Sequence, residues 1–348
     1  MEFTPGIELS RRFHAEAVRP ILRRELPRLR YTAALIGYGS EVLGFDSPRS
    51  TDHNWGPRLL LFADDGGGAA IPALLADHLP RTFLGYPTHF VTDDTGTRHL
   101  APATGRIDHG VVVAGLDDWV RGTLGFGARR PARADWLATP TQIFAEFTGG
   151  AVFHDDLGLE SLRENLAWYP EDVWRYVLAC QWQRIGQEEA FVGRCGEAGD
   201  ELGSAVVAAR LVRDLMRLCL LMARRYPPYS KWLGSAFARL PAAARLSPHL
   251  TAALAATTWH ERERHLVPAY EYLAGLHNDL GLTDPVDPRT SGYHDRPFQV
   301  IHAGRFVTAL LAGAQPPALT GAIDQFVDNT DALGDRTFTR GVVDCPHG

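Results

Sequence analysis

The chain has 348 residues, of which 45% are hydrophobic and 22% are charged, and its formal net charge is −6. These are ordinary values for a globular protein, and the length suits two domains or one large one. A sequence pI near 6.2 argues against general nucleic-acid binding, because such proteins usually carry an excess of basic residues that neutralise phosphates.

The cysteine spacing and the apolar pattern indicate in which cellular compartment the protein is expected. The four cysteines are widely separated and form no CxxC pair, which predicts buried thiols in a reducing compartment rather than a zinc site or a disulfide framework. The first residues, MEFTPGIELSRRF, lack the apolar segment of a signal peptide, and no apolar run approaches the ~20 residues that span a bilayer. We therefore expect a cytoplasmic protein without membrane association; the sequence does not define its oligomeric state.

The first part of the chain mixes helix and strand patterns. Residues 7–25 carry apolar side chains at helical spacing with arginines on the other face, which predicts an amphipathic helix with a potential kink at Pro20. Buried strands are predicted for YTAALIGYG and RLLLFAD, and further strands for THFVTDD and GRIDHGVVVAGL. We predict an α/β domain over residues 1–130 with a small mixed sheet.

From Pro170 onward the pattern is almost wholly helical. PEDVWRYVLACQWQRIGQEEAFVGR begins with a proline and two acids, as a helix N-terminus prefers, and ELGSAVVAARLVRDLMRLCLLMARRY repeats apolar residues at helical spacing. These patterns predict a helical bundle over residues 131–333 and a polar, loosely packed tail over 334–348. The predicted fold class is α+β.

The stretch GYGSEVLGFDSPRSTDHNW, from Gly37 to Trp55, carries the strongest chemical signal. It does not fit a Rossmann fingerprint, because Val42 occupies the position of the third glycine, and it lacks the lysine of a P-loop. A better template is strand, Gly-Ser, loop, Asp-x-[Asp/Glu], the signature of polymerase-β-like nucleotidyltransferases. Gly39 would let the backbone approach a triphosphate and Ser40 would donate to its phosphates. Carboxylates two residues apart on a strand share a face and can hold Mg²⁺ or Mn²⁺.

At these residues the chain resembles bacterial nucleotidyltransferase-like proteins of unassigned function, whose members carry GYGSE, LGFD and STDHDWGPRL. The resemblance extends to GGAVFHDDLG, YPEDVW, QEEAFVGR, RRYPPYSKW and DRPFQV, and covers most of the chain. It implies a polymerase-β-like nucleotidyltransferase domain followed by a helical bundle, distantly like the kanamycin and lincosamide nucleotidyltransferases. The implied activity is Mg²⁺-dependent transfer of a nucleoside monophosphate, with AMP expected, from a triphosphate to a hydroxyl of an unidentified small molecule or protein.

Asn54 departs from the family pattern, which has a second aspartate there. The resemblance makes Asp52 the main metal ligand, and Asn54 could bind Mg²⁺ only through an uncharged carbonyl oxygen. Three outcomes stay open. The protein is a weakened transferase, or it binds a nucleotide or metabolite without catalysis, or its site serves other chemistry.

Two further residues could compensate for the missing charge. Asp108, near the start of GRIDHGVVV, is the candidate for a third catalytic carboxylate, with a surface turn as the alternative. If the strand after Asp52 is regular, Arg58 shares its face and could contact the nucleotide; the alternative is a plain edge-strand arginine.

Candidates in the helical part come from the resemblance and from helical faces. In relatives with this bundle a lysine and a tyrosine contact the nucleotide, which points to Lys231 and Tyr229. Arg194 lies on one helix face with Arg184 and is a candidate phosphate ligand. Further candidates are Arg296 for the nucleotide and Gln187 and Glu188 for the acceptor; a solvated helix face is the alternative for the last two.

Overall fold

The computed structural model describes residues 3–63, 68–312 and 319–345, and its secondary structure is α+β. Its strands are β1 (Tyr31–Leu35), β2 (Arg58–Ala63), β3 (Thr82–Phe83), β4 (Tyr86–Pro87), β5 (His89–Thr92), β6 (Arg98–Ala101), β7 (Gly110–Ala114), β8 (Ala151–Asp155), β9 (Ser291–Gly292) and β10 (Gln299–Val300). Most of these strands are short, and only four of them join in one sheet.

Helices make up most of the remaining regular structure. They are α1 (Gly6–Phe13), α2 (Arg19–Glu25), α3 (Ile71–His78), α4 (Leu116–Leu124), α5 (Arg133–Ala138), α6 (Thr141–Thr148), α7 (Leu159–Asn165), α8 (Glu171–Glu188), α9 (Phe191–Glu197), α10 (Glu201–Met222), α11 (Ser230–Ala238), α12 (Ala243–Ala255), α13 (Trp259–Asp279), α14 (Gly304–Leu311), α15 (Thr330–Gly334) and α16 (Arg336–Asp344). Within the described residues, no helix is both long enough and apolar enough to cross a bilayer.

The chain divides into two compact units. The first comprises Met1–Pro131 and Ile143–Ala167, and the second comprises Ala132–Gln142 and Trp168–Gly348. The segment 143–167, which the helical pattern assigned to the bundle, therefore belongs with the first unit. The reason is β8, which pairs antiparallel with β1.

The first unit is organised by a four-stranded sheet in the order β7-β2-β1-β8. β2 runs antiparallel to β1 and parallel to β7, with Ala34 opposite Leu60 and Arg58 opposite Gly110. One face of the sheet is buried against α1, α2 and α3 in a core that includes Leu9, Phe13, Leu22, Ala33, Leu59, Leu61, Ile71 and Val111. Because side chains alternate along a strand, Arg58, Leu60 and Val112 lie on the opposite face.

The N-terminal helical segment continues from α1 to α2 through a π-helical turn, His14–Val18. This turn ends two residues before Pro20, which has no backbone N–H to donate to the carbonyl of Glu16. A kink was predicted at Pro20. The structure instead shows a local change from α-helical to π-helical hydrogen bonding just before this residue.

Among the described residues of the second unit, the regular structure is helical apart from the two-stranded β9–β10 ribbon. α8 and α10 supply much of its core, with Trp182, Ile185, Leu211, Leu215 and Leu218 fully buried. The predicted polar tail contains regular structure in its described part. Residues 336–344 form α16, and Arg340 makes an ion pair with Asp135 on α5. The last residues of that predicted tail, 346–348, lie outside the described residues.

Candidate functional site

The sheet topology brings three predicted features of the first unit to one edge. The Gly-Ser turn follows the C-terminal end of β1, which is antiparallel to β2. Asp52 and Asn54 precede β2, and Asp108 precedes β7, which runs parallel to β2. The end of β1 and the beginnings of β2 and β7 therefore share an edge of the sheet.

The Gly-Ser turn forms a series of tight turns rather than a helix N-terminus. Gly39 has a φ of 134°, and the Phe45 N–H donates to the Ser40 carbonyl at 2.8 Å. The Ser40 hydroxyl lies 3.2 Å from the hydroxyl of Ser50, in the 3₁₀ turn that ends at Asp52. This bond ties the Gly-Ser turn to the segment that carries Asp52.

The condition that residues 52 to 58 form one regular strand, on which Arg58 would share a face with Asp52, is not met. Asp52 ends a 3₁₀ turn, Asn54 has a φ of 50° in the left-handed region, and β2 begins only at Arg58. Strand alternation therefore does not place Asp52 and Asn54 on one face. The glycine and proline at 56 and 57 lie between Asn54 and the strand.

Arg58 is held by a buried carboxylate. Its Nε and Nη2 donate to Glu41 Oε1 at 2.9 and 2.6 Å, and Nη2 also donates to the Tyr38 carbonyl at 2.7 Å. The Arg58 guanidinium also lies 4.6 Å from the Tyr38 ring centroid. A Cβ on Gly39 would overlap Nη2 of Arg58, so the missing side chain at Gly39 makes room for this pair. Arg58 thus fastens the Gly-Ser turn to β2.

Arg98 on β6 connects two of the predicted catalytic residues. The Asn54 N–H donates to the Arg98 carbonyl at 2.7 Å, and the Arg98 guanidinium donates to Asp108 Oδ1 at 3.1 Å. The structure therefore brings Asn54 and Asp108 to the same hairpin. Arg98 was absent from the sequence prediction, since nothing in RHLA distinguishes it from an exposed strand arginine.

His99, the next residue, connects Asp52 to a second carboxylate. Its Nδ1 lies 2.8 Å from the Asp52 carbonyl, and its Nε2 lies 2.7 Å from Asp93 Oδ2. The hydrogen bond with Asp93 is the main cause that raises the pKa of His99, and the bond to the Asp52 backbone adds to it. Hydrogen bonds from Thr95, His99 and Thr97 lower the pKa of Asp93. The Asp52 carboxylate itself lies 2.9 Å from His53 Nδ1.

As arranged in this structure, these side chains do not form a ready-made Mg²⁺ site. Mg²⁺ takes a compact set of oxygen ligands, including one or two carboxylates. Asp52 and Asp108 each contact a basic side chain, His53 and Arg98, and Asn54 is uncharged. Among the residues that the structure describes, no group of three or more histidine, cysteine, aspartate or glutamate side chains could hold a metal ion.

A small pocket of about 70 Å³ lies on the open face of the sheet beside this edge. Asn54 and Arg98 line it together with apolar and aromatic side chains. The lining residues are Leu35, Ile36, Gly37, Tyr38, Asn54, Arg58, Leu59, Leu60, Phe90, Arg98, Gly110, Val112 and Trp119. Tyr38 and Val112 are 58% and 46% exposed, so both side chains are accessible to a ligand. The pocket thus offers ligand-accessible apolar surface beside one amide.

The predicted residues of the second unit lie at separate elements. Tyr229 and Lys231 are at the start of α11, where the Tyr229 N–H donates to Gln142 Oε1 at 2.9 Å and Lys231 Nζ lies 5.0 Å from the Trp232 ring centroid. Gln187 is exposed near the end of α8. Its neighbour Glu188 accepts from Arg210 Nε at 3.0 Å.

Arg194 lies on α9, and Arg296 contacts the same helix. Arg194 is exposed on this helix with its guanidinium 5.5 Å from the Phe191 ring centroid. Arg296 donates to Glu197 Oε2 at 2.9 Å, and Glu197 lies one turn after Arg194. Arg184, on the predicted face with Arg194, instead donates to the buried Asp214 at 3.3 Å.

The fold and these contacts define an α+β protein with a candidate ligand site at the edge of a small mixed sheet. Residues 136–233 match the family model described as a domain of unknown function, DUF4037. The match runs from α5 to α11 and does not include the sheet edge described above. No curated protein and no solved structure shows significant similarity to the chain.

Proposed function

We propose that this protein is nucleotidyltransferase-like and that its first unit binds a nucleoside triphosphate. The observation that carries the proposal is the shared edge where β1 ends and β2 and β7 begin. The Gly-Ser turn, the segment from Asp52 to Asn54, and Asp108 all adjoin this edge. Three segments that are far apart in the sequence are thus neighbours in the fold, which supports a shared ligand site.

The edge offers groups suited to a polyphosphate. Backbone N–H groups of a tight turn and the Ser40 hydroxyl can donate to phosphate oxygens. The Arg58–Glu41 pair holds the turn in place, so these donors need little further ordering when a ligand binds. Arg58 itself is engaged by Glu41 and Tyr38, and its proposed role is therefore to position the turn.

Binding without efficient transfer is the function that this site supports best. Nucleotidyl transfer by this signature uses carboxylates that hold Mg²⁺ or Mn²⁺ at the phosphates. Here one of the two signature positions is Asn54, and the carboxylates of Asp52 and Asp108 contact His53 and Arg98.

Transfer of AMP to a hydroxyl acceptor is the second candidate. It is favoured by the exposure of the Asp52 and Asp108 side chains, which is 53% and 63%. Ion pairs this exposed are weak, so a bound metal–nucleotide complex could displace their partners. The resemblance suggests Tyr229 and Lys231 of the second unit as nucleotide contacts. Arg194 and Arg296 for the nucleotide, and Gln187 and Glu188 for the acceptor, stay predictions from the helical face and the loop that carry them.

Calorimetric titration with ATP, GTP, CTP and UTP, each with and without Mg²⁺, tests the proposal. We expect at least one triphosphate to bind and α-³²P-labelled triphosphate to give little or no transfer to candidate acceptors. Efficient Mg²⁺-dependent transfer would favour the second candidate. The absence of binding by all four triphosphates would contradict both.

A further inference from the structure

Asn54 occupies a position that suits recognition of a neutral ligand. Asparagine tolerates the left-handed backbone, and the Asn54 N–H is fixed by the Arg98 carbonyl at 2.7 Å. Its half-buried side chain lines the pocket and makes no hydrogen bond to another described residue. The amide therefore presents a free donor and a free acceptor, held on a fixed backbone.

The walls around Asn54 are flat and apolar. Tyr38, Phe90 and Trp119 supply aromatic surface, and Leu60 and Val112 supply aliphatic surface from adjacent strands. Trp119 is itself supported by Phe62 and Phe147, whose ring centroids lie 5.3 and 6.0 Å away. Such walls suit a planar ring, whereas a metal–phosphate group needs charged oxygen ligands.

The basic groups of this pocket already have acidic partners. Arg58 pairs with Glu41, and Arg98 pairs with Asp108 while its guanidinium lies over the Phe90 ring at 4.8 Å. The pocket interior is therefore close to neutral. At about 70 Å³ it is large enough for the edge of one ring and not for a whole nucleotide.

We infer that this pocket receives the edge of a nucleobase and that the Asn54 amide hydrogen-bonds to it. Nucleobases present a donor beside an acceptor, which an asparagine amide can match with two hydrogen bonds. Asn54 is then a residue that recognises the ligand, and its amide is required where the family pattern has a metal-binding aspartate. The inference rests on the proposed function, since the base is that of the bound triphosphate.

Asn54→Asp distinguishes this role from that of a weak metal ligand. The substitution keeps the size and the tolerance of the left-handed backbone but replaces the donor by a negative charge. We expect it to weaken triphosphate binding about tenfold or more, with or without Mg²⁺, because hydrogen bonds to the base are lost. A metal-ligand role predicts the opposite result, a Mg²⁺-dependent gain in affinity.

Competition experiments on the same proteins locate the contact. Adenosine or uridine, which have no phosphate group, should displace a fluorescent triphosphate bound to the wild type. In Asn54→Ala and Asn54→Asp this displacement should be weaker. Val112→Asp should weaken it as well, because it adds a charge to the pocket wall. Val206→Asp, an exposed valine of α10 in the second unit, is the matched control and should have no effect. Circular dichroism checks that each variant is folded. If Asn54→Ala is unfolded, the result for Asn54→Asp alone decides the test.

The outcomes separate this inference from the function on which it rests. Displacement by inorganic tripolyphosphate but by neither nucleoside, or unchanged or tighter binding by Asn54→Asp, would overturn the inference and leave the proposed function standing. Failure of every triphosphate to bind the wild type would overturn the proposed function, and the inference with it.

Discussion

Arg58 and Glu41 form a buried ion pair, with Arg58 Nη2 2.6 Å from Glu41 Oε1 and side chains only 10% and 2% exposed. Arg58 is the first residue of β2, and Glu41 lies in the Gly-Ser turn. The pair therefore fixes the turn to the strand that begins at the candidate site.

Glu41→Gln should destabilise the first unit strongly. The substitution leaves the Arg58 charge buried without its counter-charge, which typically costs about 3 to 5 kcal/mol of unfolding free energy. Urea unfolding followed by tryptophan fluorescence measures the change. Glu16→Gln, which breaks the exposed pair with Arg12 on the N-terminal helical segment, is the control and should change stability little. If Glu41→Gln lowers the unfolding free energy no more than Glu16→Gln does, the buried pair contributes little to stability.

Gly39→Ala should disturb the same pair from the backbone side. The φ of 134° is strained for alanine, and the new Cβ would overlap the Arg58 guanidinium. We expect a loss of about 1 to 3 kcal/mol from the strained backbone, together with weaker triphosphate binding. Gly96→Ala is a matched control, because Gly96 also has a positive φ (82°) but a Cβ there has no atom within 4 Å. If Gly39→Ala and Gly96→Ala bind the triphosphate equally well, the Gly-Ser turn does not need a glycine at position 39 for triphosphate binding.

The second unit should lose stability as the pH rises through neutrality. Burial raises the pKa of the Glu189 carboxyl to about 7, against 4.5 for an ordinary glutamate, although its Oε1 accepts the Ala303 N–H at 3.1 Å. Because the folded-state pKa is the higher one, the stabilising contribution is complete below about pH 4.5 and is lost as the pH rises through about 7.

Glu189→Gln should remove this part of the pH dependence. The amide keeps an acceptor for the Ala303 N–H and cannot ionise, so the variant should gain stability relative to the wild type at pH 8.5, by about 3 kcal/mol as an upper bound. Thermal unfolding at pH 5.5 and 8.5 measures the difference. Parallel pH profiles for the two proteins would show that Glu189 does not titrate in this range. Burial also raises the pKa of Glu263, so some dependence of the same sign should remain.

Arg340→Ala tests whether the C-terminal helix α16 is docked. Arg340 contacts Asp135, which is nearly buried on α5, and lies 2.6 Å from Asp344 on its own helix. Removing the guanidinium should destabilise the second unit by about 1 kcal/mol. Asp344→Asn removes only the outer, exposed contact and should have a smaller effect. No change for Arg340→Ala in chemical denaturation would support the loosely packed tail that the sequence had suggested.

Much of the fold could be predicted because its elements have clear periods. YTAAL and RLLLFA are continuous apolar runs that are buried as β1 and β2, and the segment after Pro170 has acids at its start and helical spacing. The strand β8 was missed. Its five residues, AVFHD, follow the helical pattern of α6, and only the distant pairing with β1 fixes them as a strand.

The candidate site was less predictable, because its contacts depend on tertiary structure. The Gly-Ser turn and Asp52 could be singled out from a short pattern, but the strand geometry assumed for Asn54 was wrong. In the sequence, Glu41 cannot be distinguished from an exposed loop glutamate. In the structure it is 3% exposed and forms an ion pair with Arg58. Arg98 and His99 come from a separate hairpin, and no local pattern shows that they contact the residues before β2.

A crystal structure with a non-hydrolysable ATP analogue bound at saturation tests the central claim most directly. Our account predicts the nucleotide at the sheet edge, with phosphate oxygens at the turn of Gly39 and Ser40 and the base against Asn54. A nucleotide bound elsewhere, or an edge that stays empty at saturating concentration, would contradict it.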